Sequence, residues 1–148
     1  MPRIFRTTAA SLQLLLMAAG LVLPLALRAQ NGGDMPRRST LDGVFTREQA
    51  ARGRDVYDGM CLNCHPAVTH TGPQFVETWS GKRLGDLFSF VVERMPKNDP
   101  GSLSPREYAD VLAYILRLNG MPPGPNDLPV DSLALNAIRL EFRRGGSP

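Results

Sequence analysis

Apolar residues are distributed along this chain in two distinct ways. Near the N-terminus they form one run, Leu14 to Leu27 (LLLMAAGLVLPLAL), followed by a polar stretch, Gln30 to Thr40, that has no periodicity. Beyond it they recur at intervals of three and four in three segments, which is the spacing of one helix face. The first segment opens at Thr46-Arg47-Glu48-Gln49, a pattern that predicts a capping box, and runs through AARGRDVYDGM into the cysteines. Ala50, Gly53, Tyr57, Cys61 and Cys64 share its face. The second spans Leu84 to Arg94 on the stripe Leu84, Leu87, Phe88 and Val91, and must stop at Met95 because Pro96 disfavours helical geometry at the residue before it. The third starts at Ser104-Pro105-Arg106-Glu107, with an N-cap, a proline at the first helical position and a capping-box glutamate. Tyr108, Val111, Leu112, Ile115 and Leu118 carry its stripe, and Asn119-Gly120 closes it. Pro66, Pro73, Pro96 and Pro100-Gly101 punctuate the loops, and no stretch alternates as a strand would. The pattern predicts a small all-α domain with long ordered loops, an arrangement suited to wrapping around something.

The N-terminal run changes how the rest is counted. Arg3 and Arg6 precede it and Leu27-Arg28-Ala29 follows it as a cleavage site, so residues 1–29 read as an export signal. The run is shorter than a membrane span of about 20 residues and contains Pro24, so no stable membrane insertion is expected after cleavage. The remaining 119 residues suit one small domain with a modest core. Losing Arg3, Arg6 and Arg28 leaves 14 basic residues against 14 acidic ones, so the basic pI of 9.2 belongs to the precursor. A near-neutral mature chain does not offer the basic patch that nucleic-acid binding requires. The organisation expected is a signal peptide at 1–29, a flexible leader at 30–40, a folded domain at 41–121 and a C-terminal extension at 122–148.

Both cysteines and both histidines lie between Met60 and His70, in MCLNCHPAVTH. Three chemistries use such a cluster: a disulfide or dithiol switch, a zinc site, or covalent haem attachment. A Cys-x-x-Cys disulfide closes a short loop, stabilises little and leaves His65 without a task. Zinc would take Cys61, Cys64, His65 and His70, but adjacent Cys64 and His65 fit one tetrahedron awkwardly. CLNCH is the haem-attachment pattern. One helical turn separates Cys61 from Cys64, so both sulfurs can reach the two vinyl groups on one porphyrin edge, with His65 held beneath the iron.

With that motif in place the chain resembles the class I monohaem c-type cytochromes. The likeness runs through the Gly/Tyr-bearing helix before CLNCH, THTGPQF, WSGKRLGDLFSFVVERMPKNDPGSLS and YADVLAYILRLNG. It implies the cytochrome c fold, three to four helices wrapped around one covalently bound haem c. It implies His65 and Met95 as the iron's axial ligands, Met95 from the Met-Pro of MPKNDPGSLS. The other candidates fit less well: Met35 lies in the leader, Met60 adjoins Cys61, His70 is too near His65, and Met121 is expected to pack back on the last helix. The likeness further implies that the Pro73 carbonyl accepts from the other ring nitrogen of His65. It gives the Trp79 indole to a haem propionate, with plain core packing as the alternative. The loop from His65 to Thr71 is short beside mitochondrial relatives, which would expose one haem edge.

The function implied is one-electron transfer in the periplasm rather than enzymatic turnover, by a monomer or a complex subunit. Its redox partners would be a quinoprotein or other periplasmic dehydrogenase and a downstream cytochrome or oxidase. A five-coordinate haem that binds a gas or peroxide, and a non-haem Cys-x-x-Cys redox or zinc module, are the alternatives.

Overall fold

The structure is a computed structural model and describes residues 38–143; the expected export signal, Met35 and most of the expected leader lie outside the described residues. Five α-helices follow in order among the described residues: α1 (Arg47–Met60), α2 (Gly72–Trp79), α3 (Leu84–Arg94), α4 (Pro105–Leu118) and the short α5 (Ser132–Asn136). Two short strands, β1 (Arg38–Ser39) and β2 (Ile138–Arg139), pair in parallel. Among the described residues no helix is long and apolar enough to cross a membrane.

Helix α4 is the centre of the core. Tyr108 to Ala113, Ile115 and Leu116 are all buried, and its capping box is complete: the Glu107 N–H donates to Ser104 Oγ, and the Ser104 N–H to the Glu107 carboxylate. Helix α1 crosses it with Gln49, Ala50, Gly53 and Tyr57 inward. The approach is close enough that a Cβ on Gly53 would lie 1.7 Å from the Asp110 carbonyl oxygen. Arg52 reinforces the crossing by pairing with the buried Asp110 on α4 at 3.0 Å and with Asp127 at 2.7 Å. Hydrogen bonds to these two carboxylates hold the Arg52 guanidinium well above its ordinary pKa.

Helix α1 departs from its expected cap. Thr46 Oγ accepts from the Gln49 N–H at 3.0 Å, but the Gln49 side chain does not reach back. It turns inward and holds the backbone of Leu128, taking its N–H at 2.6 Å and donating to its carbonyl at 3.4 Å. Buried loop backbone needs partners, and a carboxamide supplies a donor and an acceptor together. Gln49→Ala orphans both Leu128 groups and is expected to lower unfolding free energy by about 2 kcal/mol or more, read as a lower urea midpoint at unchanged slope.

Two further expectations need correction. Thr71-Gly72-Pro73 was expected to be loop, yet Pro73 sits in the first turn of α2, where the missing N–H has no helical partner to lose. The leader was expected to run to Thr40, yet Arg38 and Ser39 form β1. Thr40 is fully buried, donating to the Glu141 carbonyl at 2.7 Å and accepting from the Glu141 N–H at 2.9 Å. The C-terminal extension packs on the domain: Leu128, Leu135, Ile138 and Leu140 are buried with the helices.

Candidate functional site

Helix α1 delivers the cysteines and then ends. Cys61 caps it, its N–H on the Tyr57 carbonyl at 2.8 Å, and one further turn follows in which Cys64 and His65 both donate their N–H to the Cys61 carbonyl. Cys61, Cys64 and His65 therefore stand on one turn at the end of a rigid helix. Both thiols are free; Cys61 is half-buried, which pushes its thiol pKa up, while Cys64 is exposed. The flanking side chains are apolar and open to solvent: Met60 is 50% exposed and Leu62 44%.

Met95 comes from another element, the end of α3. It caps α3, its N–H on the Val91 carbonyl, in an extended conformation (φ −132°, ψ 147°) that aims the chain out of the helix, and the Met95–Pro96 peptide is cis. His65 and Met95 are in contact, consistent with His/Met haem ligation. Two free thiols one turn apart, an adjacent imidazole and a thioether in contact with it are the donor set of a haem held through thioethers, so the residues present fit that group.

The other candidates sort clearly. Met121 is buried against the core after α4, as expected of it, and Met60 is exposed beside Cys61. Pro73 is exposed in the first turn of α2, where the i, i+4 ladder directs the Glu77 N–H to its carbonyl. Trp79, at the end of α2, packs edge-on to Phe90 with ring centroids 5.4 Å apart and lies beneath the Lys82 ammonium.

Among the described residues no three His, Cys, Asp or Glu side chains are grouped to hold a metal ion. The His70 ring lies 5.3 Å from that of His65 and edge-on to Tyr57 at 5.7 Å. Burial first, and then the neighbouring His65, lower its pKa. The Asn119 side chain, at the end of α4, fixes the His70 carbonyl at 2.8 Å.

Two residues of the site escaped the sequence reading in this role. Tyr57 Oη donates to the His65 carbonyl at 2.5 Å, and Tyr108 Oη donates to the Met95 carbonyl at 2.7 Å. The available signal was a tyrosine at a buried stripe position where phenylalanine would pack as well, because a buried hydroxyl needs a partner.

Comparison with known proteins gives one family: residues 48–115 match the family model of cytochrome c oxidase, cbb3-type, subunit III. No curated protein and no solved structure matches the chain significantly.

Proposed function

We propose, from the premise that residues 48–115 form a class I cytochrome c domain with haem c attached through Cys61 and Cys64, that this protein is a one-electron carrier with His65 and Met95 as axial ligands. The observation that carries the reading is the placement of Met95, extended at the end of α3 and in contact with His65. Haem c held there supplies a ferric/ferrous couple, whose potential a thioether opposite an imidazole raises. With His65 and Met95 both holding it, the iron would keep no position for a substrate to bond. Cys64, at the surface beside Met60 and Leu62, keeps the attached edge within reach of a redox partner. The Pro73 carbonyl, with a second lone pair beyond the helical ladder, is proposed to orient the His65 ring, and the Trp79 indole N–H to meet a propionate.

Residues 1–29 support export by a cleaved signal, and with it a periplasmic location. The near-balanced mature charge supports a transient partner, a periplasmic dehydrogenase on the donor side and a cytochrome or oxidase on the acceptor side. The folded unit is proposed to extend from Arg38 to the end of β2 and beyond to Phe142.

Met95→Ala tests the ligand set. The protein matured where haem is attached should stain for haem after denaturing electrophoresis and show a sulfur-to-iron band when oxidised. Met95→Ala should keep the stain, lose the band and lower the reduction potential on the order of 0.1 V or more, within the roughly 0.8 V that axial ligands span. A high-spin spectrum indifferent to the substitution would move the function to gas or peroxide binding.

A further inference from the structure

The two residues assigned to the iron have a common feature in the chain: each is followed by proline, His65 by Pro66 and Met95 by Pro96. Each is thus the acyl half of a peptide that has no N–H, at a place where regular structure has ended. In both cases the carbonyl is taken by a buried tyrosine, Tyr57 for His65 and Tyr108 for Met95, with the two rings 1% and 2% exposed.

The two carbonyls differ in what else secures them. His65 adjoins Cys64 and stands on a turn tied back to α1, so covalent attachment and two backbone hydrogen bonds from that turn to the Cys61 carbonyl hold it. Past its helical N–H bond, Met95 leads into a run with local backbone bonds, Asp99 to Pro96 and Ser102 to Asp99. The Tyr108 hydroxyl links Met95 to α4, across 13 residues of sequence. The Tyr108 ring is itself fixed between α3 and α4, edge-on to Phe88 with centroids 6.4 Å apart.

We propose that Tyr108 is a positioning residue for the Met95 thioether: by anchoring the Met95 carbonyl to α4 it keeps the sulfur presented, and it sets how readily another ligand displaces it. The inference rests on the reading of Met95 as an axial ligand. Tyr57 is the natural control, since it makes the same kind of bond on the side where displacement does not occur.

The test is imidazole titration of the oxidised holoprotein, followed by loss of the sulfur-to-iron band, for the wild type, Tyr108→Phe and Tyr57→Phe, with urea unfolding of each. Both variants keep the ring and lose one buried hydrogen bond, so a similar fall in urea midpoint is expected. Imidazole should bind Tyr108→Phe about tenfold more tightly than wild type, the factor that one buried hydrogen bond supplies, and Tyr57→Phe by a clearly smaller factor. Equal tightening in both variants would mean general loosening and overturn the proposal, as would no change in Tyr108→Phe or a change confined to Tyr57→Phe. A wild-type sulfur-to-iron band that survives Met95→Ala would instead overturn the ligand assignment, and the two failures are therefore distinguishable.

Discussion

A chain cut after Pro125 is expected to yield no stable holoprotein, although the cut leaves CLNCH, Met95 and the three longest helices intact. The segment removed contributes Leu128, Leu135, Ile138 and Leu140 to the core, each at most 3% exposed. At about 1.5–3 kcal/mol for each buried aliphatic side chain, their loss removes roughly 6–12 kcal/mol, most or all of what a domain has in total. The same cut strips the buried Gln49 of Leu128 and the buried Thr40 of Glu141, leaving polar groups in the interior without partners, and takes Asp127 from the more exposed Arg52. It also exposes α3, which α5 and β2 cover and whose end presents Met95. The readout is the yield of haem-stained protein from a periplasm competent for attachment, together with urea unfolding of whatever is recovered. Leu135→Ala provides a graded version, with an expected loss of about 2–5 kcal/mol. A truncated holoprotein with the full-length urea midpoint would return residues 126–143 to the status of an appendage.

That expectation also marks where the sequence was legible. Helices α3 and α4 were readable to the residue because their signals are local: a stripe three turns long, Ser104 and Glu107 at one end, Pro96 or Asn119-Gly120 at the other. The turn that carries Cys61, Cys64 and His65 was readable for the same reason, since the motif is contiguous, and Pro96 marked Met95 as the residue at which α3 ends. What failed was long-range. A parallel pair two residues wide has no alternation to detect, and Thr40 finds Glu141 across 101 positions, so the leader was drawn too long. Gln49 was correctly placed in the first turn of α1 but assigned to the wrong partner, because Leu128 is 79 residues away. Helix α2 was missed because it is eight residues long and opens with Gly-Pro, which reads equally well as a turn.

Gly53→Ala is expected to be the most damaging single-methyl addition in α1, and the reason lies in the atoms it meets. The new Cβ would stand 1.7 Å from the Asp110 carbonyl oxygen, 2.3 Å from its carbon and 2.9 Å from the Val111 nitrogen. These are backbone atoms of α4, so no rotamer change relieves the clash and the two helices must separate. Separation is resisted one residue away, where Arg52 grips Asp110 through two nitrogens, at 3.0 and 3.1 Å. Alanine's advantage over glycine inside a helix, about 1 kcal/mol, acts in the other direction and is too small to compensate. Overpacking of this kind costs about 3 kcal/mol or more when backbone must move. The effect carries to the site because Tyr57, one turn further along α1, holds the His65 carbonyl while packing on Tyr114 of α4 at 5.3 Å. Displacing α1 therefore moves His65 relative to Met95, and the sulfur-to-iron band should weaken along with the urea midpoint. Gly59→Ala on the same helix is the internal comparison: a Cβ there meets nothing within 4 Å, so this variant should gain about 0.5–1 kcal/mol. If Gly53→Ala matched Gly59→Ala in midpoint and spectrum, α1 and α4 would not cross at the distance described, and the placement of His65 through that crossing would fall with it.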